Sequence, residues 1–250
     1  MAARTYALAN QKGGVGKTTT AINLAACLAE AGERALVVDL DPQANATSGL
    51  GMKANGTSTY DLLDGAPLHD LAKPTRFANL FLVPSRPELA GAAVELSRRA
   101  DGERYLADAL GGVEGFDFVL LDCPPSLGPL TVNALAAADR VIVPVQTEYY
   151  ALEGLAQLVQ SINLVKVRLN PRLAIAGVLL TMADTRTRLS AEVEAEVRRH
   201  FGGLVFEAVV PRSVRVAEAP SHGLPVTHYD RRSRGADAYW KVAMELVERR

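Results

Sequence analysis

The sequence predicts an α/β fold in which helices cover both faces of a doubly wound, mostly parallel sheet. Short apolar runs typical of buried strands alternate along the chain with helix patterns. This alternation is typical of parallel strands that are joined by crossover helices. Apolar residues make up 48% of the 250 residues, which is enough to build an ordinary core. We therefore expect residues 1–250 to form a single domain.

The first strand, loop and helix form a pattern that points to phosphate binding. Residues 6–9 are apolar and predict a strand, a glycine-rich turn follows, and residues 18–31 predict a helix with an apolar stripe. Successive glycines let backbone N–H groups point at one anion, and the helix adds its positive N-terminal end. We expect Lys17 to reach the β- and γ-phosphates and the Thr18 hydroxyl to hold Mg²⁺. The structural alternative is a glycine turn with two solvated lysines.

The second strand ends in a pair of acids. Residues 35–38 form a continuous apolar run, and Asp39 and Asp41 follow, the latter before Pro42 and Gln43. Two carboxylates spaced two residues apart on an extended segment point the same way. Acids at the carboxyl end of a strand, beside a phosphate loop, suit a metal ion and an attacking water. An Asp-Pro turn that merely leaves a strand is the structural alternative.

A third acid ends the strand predicted over residues 116–122. Four apolar residues precede Asp122, which is the Walker B form, and we expect this carboxylate to enter the Mg²⁺ coordination sphere, usually through water. Pro124 and Pro125 give a rigid exit that stops sheet hydrogen bonding. A strand that ends in an ordinary turn acid is the alternative.

The remaining elements complete the alternation. Residues 43–59 read as a polar loop that can hold one turn of helix. Further strands are predicted over residues 80–83, 140–145, 173–180 and 204–210. Further helices are predicted over residues 60–63, 88–99, 103–110, 130–138, 153–169 and 236–249, and one more carries Leu189, Val193 and Val197.

Composition excludes several other classes. The two cysteines, Cys27 and Cys123, are far apart, so we expect neither a disulfide framework nor a metal site built on them. No apolar run approaches the roughly 20 residues that span a bilayer, and the start of the sequence lacks a signal-peptide pattern, which favours a cytoplasmic protein. A net charge of −1 argues against a surface that is basic throughout, but allows a local basic patch.

The motifs resemble one known family. Residues 12–19, Lys-Gly-Gly-Val-Gly-Lys-Thr-Thr, resemble the deviant Walker A loop of the ParA/MinD family of ATPases. Residues 39–43 resemble the switch I segment of ParA proteins, and residues 122–125 resemble switch II. The resemblance runs from residue 6 to the final helix, and residues 209–225 are also specific to it. It implies a Soj-type ParA ATPase of chromosome partitioning with weak intrinsic activity.

The resemblance also implies roles for individual residues. Lys12 would cross a dimer interface to the partner's nucleotide, Asp41 would place the hydrolytic water, and both would act in catalysis with Lys17. Mg²⁺ would be held by Thr18, Asp39 and Asp122. The residues implied to contact ATP are Lys12, Gly13, Gly14, Val15, Gly16, Lys17, Thr18, Thr19 and, around the adenine, Met182, Pro211 and Ser213.

Partners follow from the same resemblance. An ATP-induced homodimer would bind double-stranded DNA without sequence preference through Arg186 and Arg215, which we place in loops. Such contacts would go to phosphates and depend strongly on salt. A ParB-type partner would stimulate hydrolysis and release the protein, which would be associated with the nucleoid.

Other members of the family provide alternatives. A MinD-like membrane-positioning ATPase would need a C-terminal amphipathic anchor, whereas the helix over residues 236–249 has a core-packing pattern, so we expect no stable membrane association. A plasmid-partition or polysaccharide-synthesis relative would use the same site with another cargo. The nitrogenase iron protein shares the loop, but Cys27 lies in the loop's own helix and cannot serve as its cluster ligand.

Overall fold

The sheet has one antiparallel edge and is otherwise parallel. A computed structural model describes residues 3–148 and 151–249, so Met1, Ala2, Tyr149, Tyr150 and Arg250 of the predicted domain lie outside the described residues. Within the described residues the sheet has seven strands in the order β3-β4-β2-β5-β1-β6-β7. The strands are β1 (Arg4–Leu8), β2 (Ala35–Asp39), β3 (Lys73–Pro74), β4 (Leu80–Val83), β5 (Phe118–Asp122), β6 (Arg140–Gln146) and β7 (Ala174–Thr181). Only β3 pairs antiparallel, so the predicted fold class is confirmed.

Helices cover both faces of this sheet. They are α1 (Lys17–Glu30), α2 (Asn45–Gly49), α3 (Thr59–Leu63), α4 (Leu68–Leu71), α5 (Leu89–Leu96), α6 (Tyr105–Ala109), α7 (Pro129–Ala137), α8 (Ala151–Arg168), α9 (Arg188–Phe201), α10 (Val214–Glu218), α11 (Val226–Tyr229) and α12 (Arg234–Glu248). None of the described helices has the length and apolar character needed to cross a membrane.

Alternating side chains of each strand feed two separate cores. In β5, Val119 and Leu121 join a core with α5, α7, α8 and α9, whereas Phe118 and Leu120 join a core with α1 and α12. This follows from the two-residue period of a strand. Because both faces are covered, β2 and β5 are buried at every position, which explains their unbroken apolar runs.

Strand register brings the predicted motifs to one edge. Asp39 at the end of β2 is the neighbour of Asp122 at the end of β5, and Leu8 at the end of β1 is its neighbour on the other side. The carboxyl ends of the three central strands therefore lie at the same level. The phosphate loop leaves β1 at this edge.

The strand predicted over residues 204–210 is wrong. With β7 this segment forms an isolated bridge between Val178 and Val205 and two separate hydrogen bonds, from the N–H groups of Phe206 and Val210, instead of a continuous ladder. The N–H groups of Glu207 and Ala208 donate to the carboxylate of Glu245 on α12 instead of to a strand. The Glu245 carboxylate thus accepts the hydrogen bonds that a neighbouring strand would accept from these residues in a sheet.

Smaller differences concern short elements. Helices predicted over residues 88–99 and 103–110 are shorter, and α4 and β3 were not predicted. The turn of helix allowed within residues 43–59 exists as α2. Arg215 was expected in a loop, but it lies in α10, because residues 214–222 form two consecutive short helices.

Candidate functional site

Two glycines shape the loop between β1 and α1. Gly14 has a φ of 76° and Gly16 a φ of 88°, both in the left-handed region where a side chain is strained. Gly16 is also the N-cap of α1, and its carbonyl accepts the Thr20 N–H at 2.8 Å. The loop therefore turns sharply and directs the N-terminus of α1 at the cavity beside it.

Lys17 lies beneath this loop. Its side chain is buried, and its ammonium group donates a hydrogen bond of 3.1 Å to the carbonyl of Lys12. Burial lowers the Lys17 pKa, and this is opposed by the negative charge of Asp122 and Asp41. The arrangement holds a cation inside the loop, where an anion would be attracted.

Lys12 points away from this cation and across the surface. Its ammonium group forms an ion pair of 2.7 Å with Glu148, which follows β6. The Lys12 N–H donates to Asn10 Oδ1 at 3.0 Å, and Asn10 Nδ2 donates to the carbonyl of Pro144 at 2.7 Å. The loop is thus anchored to β6, and the role of Lys12 across a dimer interface stays a prediction.

Asp39 is fully buried and tightly hydrogen-bonded. Its Oδ2 accepts from the Thr47 N–H at 2.8 Å and from Thr47 Oγ1 at 2.7 Å, and its Oδ1 accepts from the Asp41 N–H at 3.2 Å. Burial raises the pKa of Asp39 to about 6, although these hydrogen bonds act in the opposite direction. Thr47, which positions Asp39, was missed in the sequence because it lies eight residues away within a polar loop.

Asp122 is fully buried at the end of β5. Neither of its carboxylate oxygens has a hydrogen-bond partner among the residues that the structure describes. Burial raises its pKa well above the usual range and Asp39 adds to this, while the nearby Thr18 and Lys17 favour the charged form. A buried, unpaired carboxylate is costly unless a cation joins it.

These groups suit Mg²⁺. The ion binds through one or two carboxylates, keeps several waters and takes further oxygens from phosphates. No cluster of three or more His, Cys, Asp or Glu side chains able to hold a metal occurs within the described ranges. Thr18 and Asp39 lie close to Asp122, so the three residues form a smaller group of oxygen donors, and their binding of Mg²⁺ stays a prediction.

Asp41 faces the same cavity as the phosphate loop. Its Oδ1 accepts the Gln43 N–H at 2.9 Å, which orients the carboxylate. The cavity has a volume of about 480 Å³. Its lining includes Gly13, Gly14, Gly16, Lys17, Thr18, Thr19, Asp41, Gln43, Pro125 and Met182. The residues predicted around the phosphates therefore line one cavity, with two exceptions. Lys12 is paired with Glu148 instead, and the side chain of Val15 is buried in the core while its carbonyl accepts a hydrogen bond from the Thr181 hydroxyl.

A second cavity, which we call the base cavity, adjoins the first. It has a volume of about 350 Å³, shares Gly16, Thr19 and Met182 with the phosphate cavity, and is otherwise lined largely by apolar side chains. Met182, Pro211 and Ser213, predicted around an adenine, all line it. Met182 has a φ of 52°, an uncommon backbone conformation for this residue type, and such conformations cluster at functional sites.

The two arginines predicted to contact DNA lie on segments that are joined to each other. The Ala183 N–H donates to the carbonyl of Val210, and the Arg212 N–H donates to the carbonyl of Ala183. Arg186 is paired with Asp184 at 2.7 Å, and Arg215 with Glu218 at 3.2 Å and with Asp230 at 3.3 Å. Both arginines are exposed, and both are occupied by carboxylates of this chain.

Sequence reasoning missed the partner of Lys12. Glu148 is 136 residues away from Lys12, and only the pairing of β1 with β6 brings them together. A glutamate two residues after a buried strand gave a weak signal, because parallel strands end at one edge.

The fold and the site define a P-loop nucleotide-binding protein with a deviant Walker A loop. A family model described as an AAA domain matches residues 3–175. The chain is 52% identical over 245 residues to the sporulation initiation inhibitor protein Soj of Bacillus subtilis, covering 96% of this chain and 97% of that protein. It is 56% identical over 246 residues to the chromosome-partitioning ATPase Soj of Thermus thermophilus, covering 98% and 96%. The chain belongs to the ParA/Soj family of chromosome-partitioning ATPases, within the wider ParA/MinD group.

Solved structures agree with this assignment. Cobyrinic acid a,c-diamide synthase from Mycobacterium smegmatis, with bound ADP and magnesium, has a TM-score of 0.86 and 38% identity, with coverage of 98% of this chain and 94% of that one. The cell division ATPase MinD of Pyrococcus furiosus has a TM-score of 0.82 and 26% identity, with 99% of each chain covered. Both share the fold over nearly the whole length of this chain.

Proposed function

We propose that this chain is an ATP-dependent DNA-segregation ATPase of chromosome partitioning. It binds ATP with Mg²⁺, joins a second copy, binds double-stranded DNA without sequence preference, and is released when a ParB-type partner stimulates hydrolysis. The observation that carries the proposal is that Lys17 and Asp41 line one cavity at a loop with a second lysine, and that the buried, unpaired Asp122 lies close enough to Lys17 to act on its charge.

The nucleotide would occupy both cavities. The loop from Lys12 to Thr19 and the N-terminus of α1 would receive the phosphates, and the apolar base cavity would receive the adenine. Thr18 and Asp122 would hold Mg²⁺, with Asp39 in support. Bound Mg²⁺ neutralises charge on the β- and γ-phosphate oxygens.

Hydrolysis needs a placed water and stabilised charge. Asp41, oriented by the Gln43 N–H, lies in the phosphate cavity and is suited to hold or activate water there. Lys17 lines the same cavity, where its charge would stabilise the negative charge that develops in phosphoryl transfer. Lys12 is half-exposed and carries its charge at the rim, where it can reach a second copy of the chain.

DNA binding would depend on the state of the nucleotide site. Met182 and Pro211 line the base cavity, and the segments that carry Arg186 and Arg215 begin a few residues beyond them. A nucleotide in this cavity therefore contacts the same two segments. Because both arginines are paired with carboxylates, a DNA phosphate would compete with Asp184 for Arg186, and with Glu218 and Asp230 for Arg215.

The test is DNA binding of the ATP-loaded protein over a series of salt concentrations. Arg215→Glu is expected to weaken binding to any sequence and to reduce the salt slope by about 1 per bound chain. Arg172→Glu is the matched control. Arg172 is exposed and lies just before the amino end of β7, whereas Arg215 follows the segment that contacts the carboxyl end of β7. An unchanged slope in Arg215→Glu would show that the DNA surface is elsewhere.

The last described helix bears on the membrane alternative. Tyr239, Val242 and Leu246 of α12 are buried in the core shared with α1, so this apolar face is not available to a membrane. We expect the ATP-loaded protein to remain unbound in flotation with anionic liposomes. ATP-dependent flotation would favour a MinD-like activity instead.

A further inference from the structure

Gly235 lies where α12 comes very close to the segment before it. A Cβ built at this position would lie 2.3 Å from Val216 Cγ2 and 3.5 Å from Ser213 Oγ. Carbon atoms in contact are normally about 3.5–4.0 Å apart, so any side chain here would have to displace Val216. The φ of Gly235 is not in the left-handed region, so the position requires space, not an unusual backbone conformation.

The residues in front of Gly235 form a wall of the base cavity. Val216 and Ser213 line that cavity with Met182 and Pro211. Tyr239, one turn further along α12, lines it too, and its hydroxyl lies 3.4 Å from Thr20 Oγ1 on α1. Helix α12 therefore supports one wall of the cavity and contacts the helix of the phosphate loop.

We propose that Gly235 is a positioning residue that sets the width of the base cavity and thereby its affinity for the purine base of ATP and ADP. This rests on the proposed function, in which the cavity receives adenine. Gly235 does not line the cavity. It acts through Val216 and Ser213, whose distance from α12 it determines.

The wall has little freedom to absorb a change. Val216 is β-branched and lies in the short helix α10, so its side chain has few alternative rotamers. Its helix is held by contacts to a neighbouring segment, because Glu218 accepts from the Tyr229 hydroxyl at 3.1 Å and Arg215 pairs with Asp230 at 3.3 Å. An alanine at position 235 would therefore push Val216 by more than about 1 Å, into the cavity.

The experiment compares ligands that share phosphates and differ in the base. Gly235→Ala is expected to weaken Mg-ATP and Mg-ADP binding by about tenfold, as for overpacking of a tight contact. Magnesium tripolyphosphate, which has no base, should bind as it does to the unsubstituted protein. Gly91→Ala is the matched control, because Gly91 is also helical and nothing lies within 4 Å of its added Cβ. It should change neither affinity.

A second variant tests the contact itself. Gly235→Ala with Val216→Ala removes the crowding methyl groups, and should restore ATP affinity to within about threefold even if the single variant is unstable. Normal ATP affinity in Gly235→Ala, an equal loss for tripolyphosphate, or no restoration in the double variant would overturn the proposal. If the unsubstituted protein bound ATP no better than tripolyphosphate, the proposed adenine site would fall as well.

Discussion

Glu148→Gln is expected to strengthen ATP-dependent self-association. In the structure of the single chain, the ammonium group of Lys12 lies 2.7 Å from a carboxylate oxygen of Glu148. If Lys12 reaches the nucleotide of a second copy, it must first leave Glu148. The neutral glutamine removes an attraction that exists only before the two chains join, so the associated state gains relative to the separate chains.

The size of the effect follows from exposure. The side chains of Lys12 and Glu148 are 45% and 49% exposed, so the pair belongs with surface ion pairs, which contribute roughly 0.2–1 kcal/mol each. Two such pairs break when two chains join. The dimer should therefore be stabilised by about 0.4–2 kcal/mol, which is about two- to thirtyfold in the dissociation constant. At 1 M salt, where the Debye length is about 3 Å, the difference should largely disappear.

Sedimentation velocity with a non-hydrolysable ATP analogue and Mg²⁺ measures this directly, because hydrolysis cannot then redistribute the states. Glu192→Gln is the matched control, since Glu192 forms a similar exposed ion pair with Arg188 at 2.8 Å. It should leave association unchanged. Unaltered or weaker association of Glu148→Gln at low salt would refute the reasoning. Weaker association would show that Glu148 stabilises the dimer and not the separate chains.

Three further substitutions test the phosphate cavity. Lys17→Ala should abolish ATP binding in calorimetry, because the buried cation of the loop is lost, and normal affinity would contradict the loop assignment. Asp41→Ala should stop hydrolysis and leave an ATP-bound dimer, and a chain that stays monomeric with ATP would contradict that role. Asp122→Asn should raise the thermal stability of the Mg²⁺-free protein at pH 7. Burial raises the Asp122 pKa above its unfolded value, so the folded wild type binds more protons and loses stability as pH rises from about 4. The gain should vanish near pH 4, and a wild type more stable than Asp122→Asn at pH 7 would be the contrary result.

Much of the site was accessible from local patterns. The loop of residues 12–19, the acids after two buried strands, and the helix stripes are each coded within a few neighbouring residues. Because parallel strands end at one edge, the meeting of Asp39 and Asp122 could be expected, and the register shows them as direct neighbours. The ion pairs of Arg186 and Arg215 could not be predicted, because the sequence does not show which carboxylate an exposed arginine contacts.

Errors arose where a distant group competes with a local preference. Residues 204–210 have the apolar pattern of a strand, but Glu245, on a helix near the end of the chain, takes the N–H groups of Glu207 and Ala208. The Phe206 ring packs so close to Gly177 that a Cβ there would lie 2.5 Å from it, so the ring occupies the space beside β7. No local pattern contains either group.

Local sequence patterns were enough to predict the fold class, the phosphate loop and the strand-end acids, because these depend on burial periodicity and glycine conformations that act over a few residues. Which groups those residues contact depends on the tertiary structure. The pairing of Lys12 with Glu148, the hydrogen bonds from Thr47 to Asp39 and the close contact of Gly235 with Val216 all result from register and helix packing. Such contacts join parts of the chain that are brought together only when the two cores close around the sheet, and their distances are set by that packing.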